Sequence, residues 1–325
     1  MRFLDRAVLL IFTALITPSL SLVGSKSENS IIISRATYHG WPGSFVISNG
    51  SAEIIVVPAI GRVMQFHFVG EPGIFWENPA MTGKSPDPKS AEWSNFGGDK
   101  TWPAPQDGWA KLIGRGWPPP ATFDSVPLEG RVLGNSVELT SPIDSAYGIR
   151  FRRRIELERR RAVMTITTSY EKVSGDPIKV GIGVITQLRD PERVFMVLPE
   201  KSRFPKGYVQ QQFGLPDDLK VDGRFVSLRG GAEAQIGSDA NTLLWMDEQY
   251  VLRIDSARVP GAEYADQNTN ATVYASADPL KYVELEPFGP LRTMKVGERI
   301  ERVVTYTLMR RTEKEPLAQA KVSAR

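Results

Sequence analysis

The sequence has no cysteine and only two histidines, His39 and His67, among its 325 residues. The first absence excludes disulfides, thiolate metal sites, iron–sulfur clusters and a cysteine nucleophile. The second leaves little material for a multi-histidine metal site or a Ser-His-Asp triad. No large excess of one charge exists either: 40 Lys+Arg against 37 Asp+Glu gives +3, too balanced to point to a nucleic-acid partner. Long apolar runs are scarce. The clearest one, residues 7–16, is short for a spanning helix, which needs about 20 residues. What remains is an ordinary globular composition, 41% hydrophobic and 24% charged, with enough chain to bury a core that needs no staples.

The short apolar run has a specific setting. Arg2 and Arg6 precede it, Pro18 breaks it, and the small residues Ser19, Ser21, Gly24 and Ser25 follow. This is the layout of a secretory signal peptide over residues 1–25; the alternative is an uncleaved anchor. The mature protein is expected to be exported, periplasmic or extracellular, with no membrane attachment after cleavage. Export usually permits disulfides, so a chain without cysteine relies on packing.

The rest reads as strands. Alternating apolar and polar residues rich in Val, Ile, Thr, Phe and Tyr mark strands at 44–47, 52–57, 62–69, 131–139, 148–157, 162–170, 179–186 and 193–197. Others fall at 225–228, 242–247, 250–254, 271–275, 281–287 and 301–309. Asn49-Gly50 joins the first two as a hairpin turn. Beyond the signal segment no long stretch shows a 3.6-residue period. The expectation is an all-β fold, a large antiparallel sandwich or closed sheet. With no repeat and no linker, residues 26–310 form one domain, and the charged, unpatterned tail 311–325 is expected to be loose. Residues 78–127 read as one long irregular region, a length usually tied to function or disorder.

Three segments carry possible chemistry. In RFRRRIELERRR, residues 150–161, Arg150, Arg152 and Arg154 share one strand face. Phe151, Ile155 and Leu157 share the other, with Arg153 among them. No aromatic platform accompanies the arginines, so the run reads as a solvated face rather than a site for an anionic polymer. In WSNFGGDKTWPAPQDGW, residues 93–109, Trp93, Trp102 and Trp109 surround Asp99, Lys100, Gln106 and Asp107, and Trp117 follows. An indole stacks on the apolar face of a sugar ring while nearby polar groups satisfy its hydroxyls. Alternatively, the tryptophans simply pack this loop onto the sheet. In YVELEPFGP, residues 282–290, Tyr282, Glu284 and Glu286 point to one side of a strand. If buried, the two carboxylates would repel and one would shift toward proton transfer; if solvated, they are only a polar face. Asp190, Asp217 and Asp218 have no metal-ligand spacing, so neither metal nor cofactor is implied.

These segments, in this order, resemble the galactose-mutarotase-like (aldose 1-epimerase) superfamily, within it an uncharacterised bacterial family. The resemblance is carried by SFVISNGSAEIIVVPAIGRVMQFHF, the tryptophan-rich segment, FRRRIELERRRAVMTITTSYEKVS, ITQLRDP and the late ELEPFGPL, and covers most of residues 40–310. It implies a β-supersandwich with a sugar site on a concave sheet face. In sugar mutarotases a carboxylate takes the anomeric proton and an acid, usually histidine, protonates the ring oxygen. The Glu-Pro of LEPF implies Glu286 as that base. The histidines do not carry over, and Lys100 is the candidate acid only if burial lowers its pKa. Binding roles are expected at Arg62, Trp93, Asp99, Trp102, Gln187 and Arg189, with Glu284 behind Glu286. The partner would be a sugar or oligosaccharide. Three functions follow: an exported carbohydrate-binding protein, an aldose 1-epimerase-like isomerase, or a structural export protein with no small ligand.

Overall fold

The computed structural model describes residues 30–325 apart from Pro88 and Asp278; the expected signal segment lies outside the described residues. Two large antiparallel sheets face each other. The first contains eleven strands. Its path runs Ile32–Tyr38, Trp41–Ser48, Ala52–Val57, Arg62–Phe68, Asp99–Ala104, Ile178–Leu188, Val283–Pro287, Ala271–Ala275, Ala234–Ser238, Val209–Phe213, with Arg292–Met294 paired to the far end of Ile178–Leu188. The second has ten: Lys220–Asp222, Phe225–Leu228, Arg193–Val197, Thr242–Met246, Tyr250–Asp255, Arg299–Arg310, Val163–Lys172, Ile149–Leu157, Ser136–Thr140, Glu129–Leu133. The alternating apolar residues of both sheets meet in one core, in which Phe45, Phe66, Val184, Leu285, Ile155 and Val304 are buried.

Most of the expected strands are present; Ile32–Tyr38, Val209–Phe213, Lys220–Asp222, Ala234–Ser238 and Arg292–Met294 lie outside the expected ranges, and three expectations are corrected. Residues 131–139 are not one strand: Glu129–Leu133 and Ser136–Thr140 form a hairpin closed by the two-residue turn Gly134-Asn135. Gly134 has φ 61°, which a glycine adopts without strain. The region 78–127 is not wholly irregular, because Asp99–Ala104 lies inside the first sheet. Pro103 is tolerated there because the strand pairs with Arg62–Phe68 only at Val63–Asp99, so its missing N–H faces no partner on that side. The tail is not loose either. Pro316–Ser323 is an α-helix whose Ala320 is buried against Phe195, Leu244, Met246 and Val251, on the outer side of the second sheet. Ser323 accepts a hydrogen bond from Arg253 through its carbonyl, at 2.9 Å.

The sheets are also tied by polar groups. Asp99 is fully buried between them. It takes a charge-assisted bond from Arg153 and hydrogen bonds of 2.6 Å each from the hydroxyls of Thr186 and Tyr306. Arg153 also donates to the Asp99 carbonyl at 3.0 Å. Arg153 is thus the inward exception in the arginine run; Arg154 is paired with Glu156 in solvent. Removing one partner of a buried pair strands the other charge. We expect Arg153→Ala to lower stability in urea unfolding by about 3–5 kcal/mol, and Arg154→Ala by about 0–1 kcal/mol.

Candidate functional site

The strand Asp99–Ala104 positions the site through its alternation. Asp99 and Thr101 point between the sheets, Thr101 sharing a 2.8 Å hydrogen bond with the Tyr170 hydroxyl. Lys100 and Trp102 therefore point to the outer face of the first sheet. Neighbouring strands split the same way. Thr186 points inward and Gln187 outward; Val283 and Leu285 lie in the core, and Glu284 and Glu286 lie on the outer face. The register sets Gln187 opposite Glu284, and Glu284 opposite Tyr274. Lys100 reaches the Gln187 Oε1 at 3.0 Å.

A buried carboxylate organises the aromatic wall. Asp124, on the short helix Ala121–Asp124, accepts 3.0 Å hydrogen bonds from the indole N–H of Trp93 and from that of Trp102. It also pairs with Arg62 at 2.9 Å. Both indoles thus turn their only donors away from the outer face and present carbon. Trp117 packs edge-on against Trp93 at 5.0 Å and Trp102 at 5.8 Å, and is 45% exposed. Trp109 lies behind, its N–H bonded to the Pro103 carbonyl at 2.9 Å.

Wall and carboxylates enclose a cavity of about 770 Å³, within the range of small-molecule sites. Glu284, Glu286, Ile185, Gln235, Tyr274 and Tyr282 line it from the sheet side; Trp93, Trp102, Trp109 and Trp117 line one flank. Asp107, Gln211, Phe213, Glu233 and Asp266 also line it.

The two glutamates are strongly perturbed. Glu286, 4% exposed, titrates well above the ordinary value of 4.5 because of desolvation, then the charge and hydrogen bond of Glu284. Glu284, 6% exposed, is raised mainly by desolvation and opposed by Lys100. Lys100 is fully buried, and desolvation lowers it to about 8. Its Nζ stands 3.9 Å from Glu284 Oε1, too far for a hydrogen bond, and that oxygen has no hydrogen-bond partner. The result is a buried carboxyl pair in which Glu286 is raised further than Glu284, with Lys100 behind Glu284. Pairs pushed apart in this way supply an acid and a base side by side.

Of the residues expected to bind, Trp93, Trp102 and Glu284 line the cavity together with Glu286. Four others do not. Asp99 faces the core, since one step along a strand reverses the side chain. Lys100 lies behind Trp93 and Trp102, its ammonium 4.8 Å from the Trp102 ring centre. Arg62 is buried and acts through Asp124. Arg189 pairs with Asp247 at 3.0 Å and opens onto a different cleft that also holds His39 and His67. Gln187 is buried beneath Lys100 and Glu284 rather than exposed to the cavity. Asp124 and Asp266 went unnoticed in the sequence. Neither sits in an aromatic or repeated pattern, and only the folded chain brings them to the tryptophans.

A carboxyl held protonated in the folded state stabilises less as pH rises, because the unfolded chain releases the proton first. For Glu286 this loss begins above the ordinary 4.5 and continues up to its raised folded value. Glu286→Gln removes it. The variant should therefore match the parent near pH 4 and exceed it in stability at neutral and alkaline pH, measured by urea unfolding across pH.

The sequence matches no protein-family model and no curated protein. Solved structures do match. A galactose mutarotase-like protein from Lactobacillus casei shares 11% identity at TM-score 0.54, covering 82% of this chain and 100% of that one. A galactose mutarotase related enzyme from Lactobacillus acidophilus shares 12% at TM-score 0.51, covering 82% and 97%. A proposed aldose 1-epimerase from Escherichia coli K12 shares 13% at TM-score 0.54, covering 86% and 100%. Identities this low speak to the fold. With its two large antiparallel sheets matched over four-fifths of the chain or more, the protein has the β-sandwich fold seen in galactose mutarotase-like proteins.

Proposed function

We propose that the protein binds a saccharide in the outer-face cavity of the first sheet. One observation carries this: a wall of tryptophans whose N–H groups of Trp93 and Trp102 are spent on Asp124, opposite buried carboxyl groups that line the same space. Apolar faces opposed to acceptors suit the two sides of a sugar ring. The neighbours named for mutarotases and epimerases support a sugar over other small molecules of this size.

A second reading, ring epimerisation, is favoured by the two buried carboxyl groups side by side at the cavity, both raised above the ordinary carboxylate range by desolvation. In it Glu284 takes the proton of the anomeric hydroxyl while Glu286 gives its proton to the ring oxygen. The ring opens, the C1–C2 bond rotates, and the reverse transfers close it. This inverts the role that the resemblance implies for Glu286, because desolvation and the charge of Glu284 push Glu286 further above the ordinary carboxylate range than Glu284. Lys100 acts through Glu284 and touches no substrate.

Saturation-transfer and exchange NMR on a panel of hexoses, pentoses and their disaccharides separates the readings. Binding should appear as saturation transfer, and Trp117→Ala should weaken it at least about tenfold, about 1.4 kcal/mol. Accelerated anomer exchange lost in Glu286→Gln would establish the epimerase. Transfer with unchanged exchange would leave a binding protein. Silence on all sugars would overturn both and favour a structural role.

Export belongs to the same proposal. It rests on the sequence of residues 1–25. Protein expressed in a bacterial host should be recovered from the periplasm or medium with a new N-terminus near residue 26; a retained Met1 there would count against cleavage.

A further inference from the structure

The charge of the cavity runs against the charge of the chain. The whole protein carries +3, yet among the described residues the cavity lining includes five carboxyl groups, Asp107, Glu233, Asp266, Glu284 and Glu286, and no lysine, arginine or histidine. The nearest cation, Lys100, is sealed behind Trp93 and Trp102 and already faces Glu284. It offsets one charge, and the raised Glu286 favours its neutral form. Asp107, Glu233 and Asp266 remain, and none of them is in an ion pair among the described residues. Glu233 accepts a 2.8 Å hydrogen bond from the Tyr274 hydroxyl, which leaves its charge in place.

We infer that the cavity is built for a saccharide bearing a positive charge, an amino sugar with a free ammonium group. The inference rests on the sugar-binding reading and narrows it. Two further observations point the same way. Aromatic faces stand near the acids: Tyr274 next to Phe213 at 5.9 Å, and Trp117 on the flank. Aromatic faces attract ammonium groups as well as sugar C–H surfaces. Burial, and after it the charge of Asp107, raises Asp266 above the ordinary carboxylate range. A cation between them would relieve their repulsion.

The placement of Asp266 is costly, which fits a role beyond packing. Asp266, Gln267 and Asn268 all have positive φ, at 47°, 61° and 65°. Three such residues in succession are held by neighbours: Arg258 donates to the Asn268 carbonyl at 3.0 Å, and Gln267 donates to the Gln210 carbonyl at 3.0 Å. Backbone strain of this kind is tolerated where a side chain must be aimed. The same electrostatics disfavour uronic acids and sugar phosphates, which would enter a field of their own sign.

The test uses three β-1,4-linked disaccharides that differ at C2: the glucosamine dimer, its N-acetylated form, and cellobiose. Binding to the full-length protein is measured by calorimetry and saturation-transfer NMR in low and high salt, with spermidine as a non-sugar cation. The inference expects the free-amine dimer to bind at least about tenfold tighter than both others. That margin should shrink in high salt. The double variant Asp107→Asn, Asp266→Asn should lose most of the margin between the free-amine dimer and cellobiose. Equal affinity for all three dimers would overturn the charge inference and keep the sugar reading. Binding of spermidine with no sugar bound would overturn both, as would no binding of any probe.

Discussion

A carboxylate buried between two sheets fixes the geometry of this protein. Asp99 can stay there only because Arg153, Thr186 and Tyr306 meet it from three strands. An uncompensated charge in that position would cost several kcal/mol. The bonds pin the facing of the strand Asp99–Ala104, and alternation does the rest. With Asp99 turned inward, Lys100 and Trp102 must turn outward, onto the face that holds the cavity. A shift of register by one residue would put a lysine and an indole into the core and the Asp99 carboxylate into the tryptophan wall. The interaction that joins the sandwich is therefore also the one that sets the site.

A second buried acid repeats the logic on the outer face. Asp124 gathers Arg62, Trp93 and Trp102, and the tryptophan wall follows from where those donors go. Two aspartates thus do the positioning, while the glutamates at the cavity are left with unsettled protons. The pattern separates groups that are satisfied and rigid from groups that are buried and under-satisfied. The second kind is where chemistry or binding is expected.

Most strands could be read from the chain, because their alternation of Val, Ile and Phe with polar residues reports a half-buried sheet. Asp99–Ala104 could not. Its inward positions carry Asp99 and Thr101, its outward positions Lys100 and Trp102, and it contains Pro103, so hydrophobic periodicity is absent from a strand buried on both sides. The hairpin at Gly134-Asn135 was hidden for a simpler reason: a two-residue turn inside a run of valines and leucines breaks the pattern very little. For the site, the facing of Tyr282, Glu284 and Glu286 was legible, since a strand of known period ends at Pro287. Which face of the tryptophan segment looks outward was not, and Asp99 was accordingly placed on the wrong side. Asp124 and Asp266 depend on contacts between segments far apart in sequence, which no local pattern encodes.

The helix Pro316–Ser323 gives the molecule a back and a front. It lies over Phe195, Leu244, Met246 and Val251, the outer face of the second sheet, while the cavity opens from the outer face of the first. Arg325 is therefore on the far side of the sandwich from the cavity mouth. Anything attached after that residue, a tether, a surface or a fused partner, would hold the protein from behind and leave the mouth turned toward the surroundings.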